Sequence, residues 1–311
     1  MIVYDSQKWS WFFVTLAKTF RYSYNLRQLI RFIVYSVVYT TIVTIVLIHY
    51  FDKQLQVDTV FFSLIGVILS LFLVFRMNTS YDKWWQGRQA WGKLVNDSRS
   101  LALHLNTLIP KEDKKRRTYF TKHIYNFCIS LSWHLRDMIE KAEYVGETDE
   151  IEEIKSMKHH PNRIALFLFD EVESMYRQKL VTDFDKNQMK QLLEDFINVL
   201  GMCERIKKTP IPFSHTTFIK LFIIIYLLIL PFGLISEFHY LTIPAAMVMS
   251  FAMIGIEVVS EEIENPFGLD ANDLPTGTIA ETIRENLNEI LNTQIKMEGE
   301  EPSHGEADII H

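Results

Sequence analysis

This 311-residue sequence predicts an all-α integral membrane protein with four transmembrane helices and a large helical cytoplasmic region. Three observations carry that expectation. The apolar residues fall into four separate blocks, and the basic residues collect on one side of those blocks. The long segment between the second and third blocks repeats its apolar residues at helical rather than alternating spacing. The mean hydropathy of +0.05 hides this, because long polar segments dilute the blocks.

The first block is Phe32 to Phe51 and the second is Thr59 to Phe75, neither carrying an Asp, Glu, Lys or Arg. A bilayer core of roughly 30 Å needs about 20 helical residues and tolerates about 17, so both blocks are long enough by themselves. The third runs from about Phe218 to Ser236 with Lys220 near its start, and the fourth from Leu241 to Ile256. Only Ser236 to Tyr240 separates these two, and Pro244 is placed to open the fourth span, so they are expected as antiparallel neighbours. The segment Met1 to Leu29 is aromatic and charged and does not have the pattern of a cleavable signal peptide.

Charge sets the expected orientation. Lys8, Lys18, Arg21, Arg27 and Arg31 precede the first span, and Arg76, Lys83, Arg88, Lys93 and Arg99 follow the second. Basic residues stay on the cytoplasmic side, so both termini and the middle of the chain are expected inside a cell inner membrane. Cys128 and Cys203 both fall in the cytoplasmic part, where free thiols rather than a disulfide framework are expected. The net charge of −6, with acidic residues gathered toward the C-terminal side, argues against nucleic acid as a partner.

The expected divisions are 1–76 with the first two spans, 77–213 as the cytoplasmic helical region, 214–259 with the last two spans, 260–296 as an acidic loop and C-terminal helix, and 297–311 as a disordered tail. In the cytoplasmic region the helical pattern breaks at Pro110, at Glu140 to Glu153 and at Pro161. Tyr119 to Leu135 and Asp183 to Lys208 each keep an apolar stripe, the second ending before Pro210 and Pro212 as a helix must. Trp84, Arg88, Trp91 and Val95 share one face of a helix prolonged from the second span into water and are expected as core between cytoplasmic helices, the other reading of Tyr81, Trp84, Trp85 and Trp91 being an anchor in the headgroup zone. Beyond the acidic loop, Ile279, Ile283, Leu287, Ile290 and Leu291 mark a last helix, with Thr278 and Glu281 at capping-box spacing.

Motifs for enzyme chemistry are missing: there is no G-x-S-x-G, no phosphate-binding loop and no dinucleotide fingerprint, so the chain is not expected to be an enzyme. The histidines lack the paired spacing of sequence-encoded metal sites. In the second span two stripes lie side by side. Thr59, Ser63, Gly66 and Ser70 are small and suit close helix packing, whereas Val60, Leu64 and Ile68 are aliphatic. An apolar ring blocks ions by dewetting only where it faces a pore axis. Glu261, Glu262, Glu264, Asp270 and Asp273 offer oxygen ligands of the kind calcium accepts, without EF-hand spacing.

Three segments then carry a family resemblance: FRMNTSYDKWWQGRQAWGKL (Phe75 to Leu94), TPIPFSH (Thr209 to His215) and ENPFGLDANDLP (Glu264 to Pro275). In this order around four spans they resemble the bestrophins, and the Trp-rich segment most resembles the bacterial branch. The resemblance implies a homopentameric channel passing small monovalent ions, with one axial pore lined by the second helix of each subunit. It places an apolar neck at Val60, Leu64 and Ile68 and a cytosolic constriction at Phe184. It also implies a calcium clasp at Asp270 and Asp273, with Glu262 and the Asn265 carbonyl nearby, although Leu269 and Ala271 thin the acidic run. No cofactor is required, calcium at that clasp being the one candidate ion, and the expected partners are further copies of the chain, the lipid bilayer and the ions. Animal bestrophins favour chloride, whereas the aliphatic neck and acidic loops here favour sodium or another cation. The alternative is a non-conducting membrane scaffold or signalling protein, and a helical-bundle metalloenzyme is a third reading.

Overall fold

The computed structural model describes residues 24–50, 59–270 and 272–295. The N-terminal segment before residue 24, the first interspan loop and the tail 297–311 lie outside the described residues, as do the expectations placed on them. Among the described residues the secondary structure is helical throughout, without strands.

The first helix, α1 (Tyr24–His49), begins well before the first apolar block and runs through it as far as His49. The second, α2 (Thr59–Leu108), is one continuous helix of 50 residues, so the span does not end at Phe75 but runs on through Arg76 and the Trp-rich segment. At 1.5 Å per residue it is about 75 Å long, more than twice the hydrocarbon thickness. The division expected at residue 76 falls inside it.

After Pro110 come α3 (Lys114–Leu135), α4 (Thr148–Ser156), α5 (His160–Arg177) and α6 (Asp183–Lys208). The break expected at Glu140 to Glu153 is only partly a break: α4 starts within it, held by the Lys122–Glu150 and Arg163–Glu153 ion pairs. Asp113 caps α3 by accepting from the Arg116 amide at 3.1 Å. A full capping box fixes the start of α6, where Thr182 and Asp185 exchange side-chain and backbone bonds.

The last two spans are α7 (Phe213–Phe238) and α8 (Thr242–Ile263), joined by a 3₁₀ turn at His239–Leu241. Lys220 Nζ on α7 lies 2.9 Å from Glu261 Oε2 on α8, so the start of one helix meets the end of the other, as an antiparallel hairpin requires. Three stretches are long and apolar enough to cross a membrane, Arg27–His49, Val60–Leu108 and Phe213–Ile263, and the third contains both helices of this hairpin. The final helix, α9 (Thr276–Leu291), starts two residues before Thr278 and so places it inside the helix. The expected capping box is therefore not formed. Glu281 instead accepts from the Tyr125 hydroxyl and pairs with Arg284 at 2.7 Å.

Two cores result, strung on α2. Phe62, Leu69 and Leu73 pack with Ile219, Ile223, Tyr226, Leu230, Ala246 and Met253 of α7 and α8 in the spanning half. Trp91, Leu94, Leu101 and Leu105 pack with α3, α5, α6 and α9 in the other half. Trp91 is completely buried and Trp84 half-buried, as expected of core, while Arg88 faces out. Buried Arg117 on α3 ties two helix ends together, donating to the Ile109 carbonyl at 2.6 Å and to Pro110 at 3.1 Å just past α2, and to Leu291 at 3.2 Å at the end of α9. These carbonyls lie at helix C-termini, where no intrahelical donor reaches them.

Candidate pore-lining face

A helix carrying apolar residues all round can bury only the face its neighbours cover. In α2 the covered face is Phe62, Leu69, Leu73, Arg76 and Ser80, turned toward α7 and α8. The opposite face keeps Val60 at 69%, Leu64 at 59% and Ile68 at 50% exposure within one chain. The three expected neck residues thus share an outward face. Of the small stripe, only Gly66 is a close-packing position within one chain: a Cβ there would lie 2.8 Å from the Tyr226 hydroxyl, while Ser63 and Ser70 face outward.

The outward apolar face is longer than the three residues named from the sequence. Val67, Leu71 and Phe75 continue it, all more than half exposed. Below Phe75 it turns polar at Asn78, Thr79 and Asp82, and Asp82 stands five turns from Leu64 on the same side of the helix. Extending the stripe from Leu64 by seven and eleven positions finds Leu71 and Phe75, so the signal was present in the sequence. Phe184 lies on a different helix, in the first turn of α6, and is 75% exposed.

Behind Phe75 the three family-like segments meet. The Arg76 guanidinium is completely buried, with Nη2 2.8 Å from Glu264 Oε2 and Nε 3.5 Å from Glu257 Oε2. The other Glu264 oxygen accepts from the Ile211 amide at 2.8 Å, and Lys83 Nζ reaches the Thr209 carbonyl at 3.2 Å. Trp84 Nε1 donates to the Asn272 carbonyl at 3.0 Å. Gly87 packs under Phe267 and Leu274, where a Cβ would sit 3.1 to 3.2 Å from their side chains. The exit of the span, the approach to α7 and the loop after α8 are therefore one joint.

The acidic loop after α8 closes partly on itself. Asp273 is turned back into its own loop, its Oδ2 accepting from the Asp270 amide at 2.6 Å. Its Oδ1 is buried without a hydrogen-bond partner. Burial pushes this carboxyl up to about 7, reinforced by Asp270 and Glu262 and opposed by the Asp270 amide and Arg136. Glu262 accepts from Asn272 at 2.8 Å, while Asp270 and Asn265 face outward. Glu262, Asp270 and Asp273 do not gather as a three-ligand group. Among the described residues the group that does gather is His134, His159 and Glu204, which the sequence spacing gave no reason to join.

Known proteins match most of this chain. The family model described as bacterial/fungal bestrophin protein matches residues 1–289. A relative from Nostoc sp. named voltage-dependent anion channel-forming protein alr2987 is 32% identical, over 72% of this chain and 75% of its own length. A relative of the same name type from Synechocystis sp., sll1024, is also 32% identical, over 73% and 75%. Among solved structures, a bacterial bestrophin homologue from Klebsiella pneumoniae superposes with a TM-score of 0.78 at 27% identity, covering 86% of this chain and 99% of that one.

Proposed function

The chain belongs to the bacterial/fungal bestrophin family and is an ion channel rather than an enzyme, and from that premise we propose that five copies surround a single pore lined by the outward face of α2. The pore crosses the inner membrane with both termini in the cytoplasm and passes small monovalent ions passively. One observation carries the reading. The spanning half of α2 keeps an uncharged apolar face exposed from Val60 to Phe75 while its other face is fixed against α7 and α8. An ion passing such a face sheds hydration with nothing to replace it, so a narrow ring there closes by dewetting and opens by widening. Val60, Leu64 and Ile68 form the proposed neck, and exposed Phe184 the proposed cytosolic constriction.

Two features bear on charge preference. The names of the Nostoc and Synechocystis relatives support anions. Asp82, exposed on the pore-side azimuth, supports cations, because five copies would ring the passage with carboxylates. Purified protein in liposomes tests the channel, and reversal potentials under a NaCl gradient fix the favoured charge by their sign. Absence of flux under every ion and potential would favour the scaffold reading, and a stable assembly of a number other than five would remove the pore geometry.

A further inference from the structure

Away from the pore face, three side chains that the sequence keeps far apart meet in the cytoplasmic bundle. His134 lies in the last turn of α3, His159 is the N-cap residue of α5, and Glu204 sits in the last two turns of α6. Glu204 Oε1 lies 2.7 Å from His134 Nε2, across 70 positions of sequence, and 3.0 Å from His159 Nε2, across 45. The two rings are 4.6 Å apart, and all three donor atoms fall within 4.8 Å of one another. The side chains are 21%, 33% and 22% exposed, so the group is enclosed yet reachable from water. Lys208 Nζ stands 3.3 Å from the other carboxylate oxygen, leaving Oε1 as the one turned to both rings.

We infer that His134, His159 and Glu204 form a binding site for a divalent transition metal ion of the zinc class, with its fourth position open to water. Two imidazoles and one carboxylate from three separate elements are a known three-ligand set for that ion. At bonds of about 2.0–2.1 Å, tetrahedral ligands stand about 3.3 Å apart, so the 2.7 and 3.0 Å pairs open by a few tenths of an ångström while the two ring ligand atoms, within 4.8 Å of each other, draw to the same separation. Burial above all holds His134 below its usual range. Against burial, bonds from His134, His159 and Lys208 hold Glu204 ionised down to about 2. Ligation moves each ring proton to Nδ1, which costs His159 only the 3.3 Å cap bond from the Asn162 amide. The adjacent His160 is committed elsewhere, its Nδ1 2.8 Å from the Tyr144 hydroxyl.

Such an ion would pin α3, α5 and α6 together, and α6 leads through Thr209 straight to α7. Binding to the folded state alone raises stability by mass action. The site does not depend on the channel reading, and its test measures no ion flux. Full-length protein in detergent, stripped with chelator, is titrated with ZnCl₂ and separately with CoCl₂. The expected result is one zinc per subunit, a raised melting temperature, and visible absorption bands of tetrahedral Co²⁺. His134→Ala and Glu204→Gln should each weaken zinc by more than about tenfold, since even indirect metal partners are worth that much. Glu204→Gln keeps a carbonyl oxygen for one ring, and unchanged elution shows that the variant still folds. Wild-type protein without tetrahedral Co²⁺ bands, or folded variants that bind zinc as tightly as wild type, would overturn the site.

Discussion

Arg76 and Glu264 meet at 2.8 Å across 188 positions of sequence, the guanidinium wholly removed from water and the carboxylate nearly so. Glu257 completes the arrangement from α8 at 3.5 Å. Removing one partner of a buried pair strands the other charges, at about 3–5 kcal/mol. Arg76→Met is therefore expected to lower the melting temperature in detergent sharply, and Arg76→Met with Glu257→Gln to lower it less. Equal losses would mean that the carboxylates do not depend on Arg76.

Shortening the side chains of the proposed neck should ease ion passage. Replacing Val60, Leu64 and Ile68 together with Ala is expected to raise bilayer current several-fold, because a wider ring holds hydrated ions. The pair Leu71→Ala and Phe75→Ala supplies the control, since both residues continue the same outward face. If only the pair raises the current, the narrowest ring lies nearer the cytoplasm than Ile68.

Asp82→Asn should move the NaCl reversal potential toward anions and leave the melting temperature unchanged, because the side chain is exposed. A reversal potential that does not move would remove this carboxylate from the conduction path.

The spanning core has a tight point at Gly233. A Cβ there would stand 2.9 Å from the Phe62 ring, which cannot swing away because it stacks on Tyr226 at 4.5 Å between centroids. Gly233→Ala is expected to cost about 1–3 kcal/mol, the usual price of overpacking. Adding Phe62→Leu should recover part of it, and a thermal melt of the single and double variants decides.

Asp273 should give the stability a pH dependence. Its carboxyl is raised to about 7 by burial, so the folded chain holds a proton there that the unfolded chain has already released. That contribution is complete below the unfolded carboxylate range near 4 and disappears as pH rises through about 7, which makes the folded state less stable at pH 8 than at pH 5. Asp273→Asn keeps an acceptor for the Asp270 amide and cannot ionise, so melting curves of the variant should lose this slope. An identical slope in both proteins would place the titration elsewhere.

Much of the helix pattern was legible because its causes are local. Asp183 to Lys208 forms a helix over those same residues, since its apolar spacing and the prolines beyond it both act within a few turns. The continuation of α2 past Arg76 was legible from the Trp84, Trp91 and Val95 spacing. The helix that starts within Glu140 to Glu153 was not, because its stability rests on Lys122 and Arg163 from other elements. The Thr278 capping box failed for a related reason: Thr276 faces Ser132 at 2.6 Å and Arg136 at 3.1 Å, and those contacts help seat the start of α9.

By itself the sequence determined the apolar spans, the helical class and the family, because hydropathy over about 20 residues and short motif order are properties of contiguous chain. Only the tertiary structure decided which face of α2 is covered and how far the outward apolar face extends. It alone joined Arg76 to Glu257 and Glu264, and His134 and His159 to Glu204. Periodicity lists the residues on a face but not the neighbour that covers it. A buried charge or a ligand trio is completed by side chains from helices whose spacing along the chain says nothing of their distance in space.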